Sequence, residues 1–220
     1  KAYKAKDILN YNETWIKDYS LKNIEPEETQ EEITEETEQF KNAESPDITK
    51  WENHKEHKAA HYAQKAEFPQ QIVKQLGDLG CFGPTVPTEY GGGGLDYISY
   101  GLMMQELERG DSGVRSTASV QGSLVMFPIY QYGSEEQRKK YLPKLASGEW
   151  LGCFGLTEPD HGSDPSSMLT NYKDAGDHVI LNGAKMWISN APFSQVAVVW
   201  AKDEAGDIKG LIVERGMEGF

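Results

Sequence analysis

Apolar residues recur at helical spacing through much of the chain. The first such stretch, residues 68–80, begins with Phe-Pro and ends with Leu-Gly, which predicts one short helix because proline favours a helix start and glycine the position just past its end. Helical spacing returns over residues 95–107 and 120–129. Residues 83–94 contain two prolines and four consecutive glycines, and so predict a connection without regular structure.

The pattern changes near residue 150. Two short runs flank Asn182-Gly183 within residues 178–189, and this dipeptide is the strongest two-residue signal for a β-hairpin. Apolar runs at residues 196–201 and 208–214 predict two further strands. The predicted fold class is therefore α+β, with an N-terminal α-helical domain followed by an incomplete antiparallel β-domain.

The helical part ends with a recognisable signal. Ser134 and Gln137 have the spacing of a capping box, which predicts a last helix that ends near Gly148. The predicted domains are an acidic, poorly defined N-terminal arm at 1–45, the helical domain at 46–150 and a truncated middle β-domain at 151–220.

Charge narrows the possible partners. The 220 residues carry a net charge of −13, which repels phosphate backbones and argues against nucleic acid. No apolar run is long enough to predict a membrane span. The two cysteines, Cys81 and Cys153, stand far apart in apolar settings and predict buried thiols rather than a disulfide. This composition suits a bacterial cytoplasm, with the mitochondrial matrix as the alternative.

Two polar segments near the start of the chain suggest no chemistry. Residues 25–38 carry eight glutamates and no basic residue, a pattern typical of a solvated helix face or a mobile arm. His54, His57 and His61 would share one helical face, as in a metal site, but no carboxylate or cysteine completes a ligand set. A solvated face is the favoured interpretation, so we predict no metal site.

Candidate chemistry is concentrated in the loop of residues 153–167, where the helical layer meets the β layer. Its hydroxyl residues and glycines can donate to a polar ligand and approach it closely, while Glu158 and Asp164 need partners. Farther along the chain, Trp187 and Ser189 offer a flat wall and a hydroxyl. Together these features favour a cofactor site at a domain junction over an ordinary turn beside a core tryptophan.

Arg115 is a second candidate, because arginine is rare in this chain and small or hydroxyl residues surround it. A planar guanidinium in such a setting can hold a ligand carboxylate bidentately. The alternative is an ordinary ion pair with Asp111, one helical turn earlier. The residues alone leave both interpretations open.

The loop GCFGLTEPDHGSDPSS, followed by LNGAKMWISN, resembles the flavin-binding signature of the acyl-CoA dehydrogenases. The segments ELERGDSGVRSTASVQGS and GLIVERGMEGF resemble the glutaryl-CoA dehydrogenases within that family, and the resemblance covers roughly residues 67–220. It implies that FAD is contacted by Phe154, Gly155, Leu156, Thr157, Glu158, Ser163, Trp187, Ile188 and Ser189.

The same resemblance implies a substrate site. The residues that match Arg115 and Ser116 bind the free carboxylate at the far end of the acyl group, with Glu108 and Ser119 nearby, and Ser163 also touches the acyl-CoA. The catalytic glutamate of the family belongs to a C-terminal helical domain that this sequence lacks, so we expect no catalytic residue here.

The implied function is FAD-dependent α,β-dehydrogenation of glutaryl-CoA with decarboxylation to crotonyl-CoA. Electrons would pass to an electron-transfer flavoprotein, and the complete protein would be a homotetramer. The alternatives are a dehydrogenase of another short acyl-CoA, a glutaryl-CoA dehydrogenase that does not decarboxylate, and a flavin-free scaffold without catalysis.

Overall fold

The computed structural model describes Lys65 and residues 67–220, together with the backbone of residues 2–4 and 8–9. The chain divides into two compact units, Asn12–Phe68 and the remainder, and the elements given below belong to the second of these. The acidic segment at 25–38 and the histidines at 54, 57 and 61 lie outside the described residues.

Helices occupy the first part of the described chain, as the apolar spacing predicts. They are α1 (Gln71–Asp78), α2 (Tyr97–Gly110), α3 (Ser112–Ser119), a π-helical segment (Val120–Met126), α4 (Phe127–Tyr132) and α5 (Glu135–Ala146). The predicted capping box is confirmed, because Ser134 Oγ accepts from Gln137 N at 3.2 Å and Gln137 Oε1 accepts from Ser134 N at 2.7 Å.

The π-helical segment has a local cause. Pro128 follows it closely and has no N–H to donate, so the regular hydrogen-bond ladder is interrupted there. Phe127 N instead donates to Gly122 O, five residues back, which widens the helix by one residue. The π-helical segment carries the buried side chains of Gln121 and Val125 to β3, while buried Met126 lies against Gly83.

Seven strands form one sheet. They are β1 (Ala2–Lys4), β2 (Ile8–Leu9), β3 (Gly152–Gly155), β4 (Asn171–Asp174), β5 (His178–Asn182), β6 (Val196–Lys202) and β7 (Ile208–Glu214). Their order is β1-β5-β4-β6-β7-β2, with β3 paired to β6 beside that path. The predicted strands at 196–201 and 208–214 are confirmed, whereas the short strands at 2–4, 8–9, 152–155 and 171–174 escaped the sequence analysis. The predicted loop at 153–167 is therefore corrected at its start, where residues 153–155 form the end of β3.

The predicted α+β architecture is confirmed, but the sheet is mixed rather than wholly antiparallel. β3 pairs with β6 in parallel, from Gly152 opposite Val196 to Gly155 opposite Val199. A parallel pair requires a long crossover, and here the crossover contains β4, β5 and the candidate loop.

The predicted hairpin around Asn182-Gly183 is wrong. A type I′ turn needs positive φ at both central residues, and the only described non-glycine residues with positive φ are Trp187 and Asn190. Asn182 instead stays in β5, opposite Asn171 of β4. The hairpin partner of β5 is therefore the preceding strand, and residues 184–189 run as an irregular segment alongside the candidate loop.

The helical layer and the sheet meet closely at β3. A Cβ atom on Gly152 would lie 2.4 Å from Val125 Cγ1, so only glycine allows the strand to approach the π-helical segment this closely. The side-chain amide of Gln121 links the same two layers. Its Nε2 donates to Leu145 O at 2.9 Å and to Trp150 O at 2.8 Å, and its Oε1 accepts from Gly152 N at 2.8 Å.

The core of the fold lies against the sheet. Successive side chains of a strand point to opposite faces. On one face of the sheet, Cys153, Tyr172, Val179 and Val213 belong to a buried cluster, against which Ile188 packs. Burial on both sides of β6 and β7 makes these two strands the centre of the fold.

Candidate functional site at the junction of helices and sheet

The first residues of the candidate loop, 153–155, belong to β3, so the sheet fixes their positions. Phe154 packs edge-on against Trp200, with ring centroids 6.0 Å apart, which commits its side chain to the sheet. Gly155 is buried, while Leu156 and Thr157 are half-buried and lead outward. Ser163 lies farther along the loop and is exposed, with its hydroxyl accessible to a ligand.

The second candidate segment crosses beside this loop. Trp187 holds a left-handed backbone at φ 60° and leaves its side chain 86% exposed, which is unusual for so large an apolar residue. Asn190 is also left-handed, at φ 66°, and its Nδ2 donates to Gly152 O at 3.3 Å. Strained backbone that the surroundings hold in place is characteristic of ligand sites.

These two segments are joined directly. Met186 N donates to Thr157 O at 2.9 Å, and Lys185 Nζ donates to Leu156 O at 3.0 Å. Ile188 turns toward the apolar cluster of the sheet, whereas Ser189 is exposed next to Trp187. The structure thus brings residues 156–158 of the loop against Lys185 and Met186, and the FAD contacts of the two segments stay a prediction.

Glu158 points into the protein rather than toward a ligand. Its carboxylate accepts from Lys185 Nζ at 2.8 Å, Leu169 N at 2.7 Å and Thr170 N at 3.0 Å. Burial acts to raise the pKa of Glu158, but these hydrogen bonds outweigh it and hold the pKa at about 2. The carboxylate of Glu158 therefore has an internal role, and the contact of this residue with FAD stays a prediction.

Asp164, the other acid that needed a partner, organises the end of the loop. Its carboxylate accepts from the hydroxyls of Ser166 and Ser167, and these bonds lower its pKa. The two serine hydroxyls are therefore engaged within the loop. Of the loop hydroxyls, those of Thr157 and Ser163 have the better disposition toward a ligand.

The predicted substrate residues also cluster, on helices α2 and α3. Arg115 Nε donates to Glu108 Oε2 at 2.5 Å, and Arg115 Nη1 lies 3.4 Å from Ser119 Oγ. Ser112 Oγ holds the other oxygen of Glu108 at 2.6 Å. The hydrogen bonds from Ser112 and then Arg115 lower the pKa of Glu108, which keeps that carboxylate ionised.

The alternative partner for Arg115 was wrong. Asp111 is the N-cap of α3, where its side chain accepts from Val114 N at 2.8 Å, so it does not pair with the guanidinium. Ser116 is half-buried one position along the helix, and its carbonyl accepts from Ser119 Oγ at 3.1 Å. Within the described residues, no hydrogen bond or ion pair links this cluster to the candidate loop.

Sequence reasoning missed two residues that shape the site. Lys185 lies inside LNGAKMWISN and is the partner that Glu158 required, so the unmatched acid was the signal that could have found it. Gln121 fixes the start of β3 from the π-helical segment, and nothing in its sequence context distinguishes it from a surface glutamine.

Other candidate chemistry is limited in the described part of the chain. Cys81 and Cys153 are both buried and free, as predicted, and burial raises the pKa of both thiols. Residues 65 and 67–220 contain no cluster of three or more side chains able to hold a metal ion. None of the described helices is long and apolar enough to cross a membrane.

Comparison with known proteins identifies the class. Residues 27–149 match the N-terminal domain of acyl-CoA dehydrogenases, and residues 153–220 match their middle domain. The chain therefore belongs to the acyl-CoA dehydrogenase family, as the resemblance of its motifs indicated.

Individual relatives point to more than one substrate. Isovaleryl-CoA dehydrogenase of Pongo abelii and glutaryl-CoA dehydrogenase of Desulfococcus multivorans are each 41% identical over 157 residues, which is 69% and 70% of this chain but only 37% and 40% of theirs. A solved glutaryl-CoA dehydrogenase of Mycobacterium smegmatis in complex with FADH2 is 43% identical, with a TM-score of 0.70, and the match covers 88% of this chain and 47% of that one. The chain thus spans less than half the length of these relatives.

The geometry fits the flavin that the solved relative contains. The left-handed Trp187 offers an exposed ring beside the loop, and Thr157, Ser163 and Ser189 offer hydroxyl donors nearby. A flat heterocycle with polar edges needs such a combination of an apolar wall and donors. The predicted cofactor, FAD, is therefore supported by the residues present and by the relative.

Proposed function

We propose that this chain supplies part of the FAD and substrate sites of an enzyme that dehydrogenates glutaryl-CoA between its α and β carbons. FAD bound beside Trp187 would accept the hydride from the β carbon. In the same proposal, decarboxylation then yields crotonyl-CoA, an electron-transfer flavoprotein takes the electrons, and the whole protein is a homotetramer.

The cluster around Arg115 is the observation that carries the choice of substrate. Arg115 Nε donates to Glu108, and the contact of Arg115 Nη1 with Ser119 Oγ is long at 3.4 Å. The two terminal nitrogens, Nη1 and Nη2, can therefore donate to a second carboxylate. Because Ser112 anchors Glu108, the guanidinium is held in one orientation before a ligand arrives. A planar fork of this kind selects an acyl group with a free carboxylate over a plain alkyl chain.

Side chains of the candidate loop and of Trp187 support the flavin part of the proposal. The hydroxyls of Thr157 and Ser163 can donate to the polar edge of the cofactor, and Trp187 can cover its ring. These groups bind and orient, since none of them is placed to remove the α-proton. We therefore assign no residue of this chain as the catalytic base.

A second substrate has one observation in its favour. The isovaleryl-CoA relative is as similar to this chain as the glutaryl-CoA relative, at 41% identity each. Overall identity therefore does not choose between a branched acyl group and one with a terminal carboxylate, whereas the polar cluster at Arg115 favours the latter.

The test is an anaerobic titration of the FAD-loaded, full-length protein with glutaryl-CoA, followed in the visible spectrum. We expect the flavin absorption band to bleach. Bleaching by isovaleryl-CoA or butyryl-CoA, but not glutaryl-CoA, would contradict the substrate assignment, and failure to take up FAD would favour the flavin-free scaffold. Analysis of the product separates crotonyl-CoA from glutaconyl-CoA and so decides whether CO₂ is lost.

A further inference from the structure

Glu158 and Lys185 form an ion pair of a kind found once in the described chain. Their side chains are 4% and 10% exposed, respectively, whereas each other ion pair among the described residues has at least one side chain that is 45% exposed or more. Exposed pairs contribute little to stability, so the buried pair is the one whose geometry the protein maintains at the cost of desolvating two charges.

The pair connects three separate stretches of backbone. Lys185 Nζ bonds both Leu156 O and the carboxylate of Glu158, while that carboxylate also receives the N–H groups of Leu169 and Thr170. Every bond has normal length, between 2.7 and 3.0 Å. The two candidate cofactor segments are thereby tied to each other and to the approach to β4.

We propose that Glu158 and Lys185 are positioning residues, which set the placement of the loop carrying Thr157 against the segment carrying Trp187 and thereby determine how tightly flavin binds. The flavin part of this inference rests on the proposed function. Neither side chain touches the cofactor in this proposal, because both are turned into the protein.

The choice of variant separates a positioning role of this pair from a general contribution to stability. Removing one charge leaves the other buried and unpaired, and such a variant can fail to fold. The double variant Glu158→Gln with Lys185→Met keeps the length of the first side chain, shortens the second by one atom and leaves no buried charge. It therefore retains much of the stability, but it loses the charged link between the two segments.

The experiment compares this double variant with a matched control. Glu214 and Lys140 form a more exposed ion pair between β7 and α5, and their side-chain bonds do not involve either segment, so Glu214→Gln with Lys140→Met makes the same two replacements elsewhere. We expect the Kd for FAD, from quenching of flavin fluorescence, to rise at least tenfold in the first variant and less than twofold in the control, at similar Tm. The visible circular dichroism of bound flavin should change only in the first variant.

A readout without flavin keeps the inference testable if the wild type takes up no FAD, an outcome that would reject the proposed function alone. Amide hydrogen exchange of residues 156–158 and 185–189 should accelerate together in the Glu158/Lys185 variant and stay unchanged in the Glu214/Lys140 control. Unchanged exchange, or acceleration in one segment only, would overturn the inference. An unchanged Kd for FAD in a variant whose exchange is accelerated would overturn the claim about flavin.

Discussion

The side chains that form the candidate site are held by hydrogen bonds more than by burial. Trp187 is open to solvent, and Arg115 and Glu108 have side chains that are 34% and 46% exposed. Met186 N donates to Thr157 O and so holds the backbone next to Trp187, while Ser112 Oγ donates to Glu108 and holds its carboxylate against Arg115. Residues of this kind can be replaced with little effect on folding, which makes them suitable for tests of function.

Arg115 is expected to act on selectivity. Arg115→Ala in the complete enzyme should lower kcat/KM for glutaryl-CoA by about 30- to 1,000-fold, because the substrate carboxylate is left without its charged partner, and should change butyryl-CoA turnover far less. Arg109→Ala on the neighbouring exposed turn, where Arg109 pairs with Glu106, is the control and should leave both values unchanged. Equal losses on the two substrates would refute the role assigned to Arg115.

Glu158 is expected to make stability depend on pH in acid. Its pKa falls from 4.5 to about 2 in the folded protein, so above pH 4.5 the ionised carboxylate contributes stability that is lost as the pH falls toward 2. That shift corresponds to about 3 kcal/mol, as an order of magnitude. Urea unfolding at pH 7, 5, 4 and 3 should show the loss, and the double variant Glu158→Gln with Lys185→Met, which leaves no unpaired buried charge, should flatten the dependence over the same range. If the stability of the wild type and of the variant fell in parallel with pH, Glu158 would not be the source of the pH dependence.

At the level of elements, the helices followed from the sequence because their signals are local. The capping box at Ser134 and the proline near α1 each act within a few residues, and both appear as predicted. The predicted hairpin at Asn182-Gly183 is wrong because tertiary contacts determine the path of the chain there. Asn182 pairs with β4, and Met186 N bonds to Thr157 O of the candidate loop. The sequence showed that Glu158 needed a partner but did not identify Lys185, since the ion pair joins residues far apart in the chain.

Two helical glycines should respond oppositely to alanine. A Cβ on Gly101, inside α2, meets nothing within 4 Å, so Gly101→Ala should raise the free energy of unfolding by about 0.5–1 kcal/mol through reduced entropy of the unfolded chain. A Cβ on Gly77, in α1, would lie 2.2 Å from Ser147 O, so Gly77→Ala should lower it by about 1–3 kcal/mol.

Urea unfolding of the two variants beside the wild type checks this pair. Each serves as the other's control, because both substitutions add one methyl group to a helix. A gain in stability at Gly77 would show that α1 does not pack against Ser147 as described.

At the scale of the whole molecule, a few polar side chains join the helical layer to the sheet. Gln121 bonds the end of α5, the connection after it and the start of β3. Glu214 of β7 accepts from Lys140 and from Tyr141 at 2.7 Å on α5. The placement of the candidate loop depends on the Gln121 links, since β3 leads into the loop.

Gln121→Leu should destabilise the protein by about 2–4 kcal/mol, because three buried backbone groups lose their partner at once. The midpoint of urea unfolding should fall while its slope stays constant, which reports a loss of stability without a change in compactness. Gln131→Leu, at an exposed position of α4, is the matched control and should shift the midpoint little. Equal shifts in both variants would show that Gln121 does not join the layers.

The parallel pairing of β3 with β6 has a consequence for synthesis of the protein. β6 and β7 are neighbours in sequence and can pair as soon as both leave the ribosome, whereas β3 emerges well before its partner β6. At ribosomal rates of 5–20 residues per second, β3 waits roughly a few seconds with its edge unpaired. During that interval the helices are complete and the apolar side of β3 is uncovered, so a nascent chain arrested before residue 196 is the form on which we expect a chaperone to act.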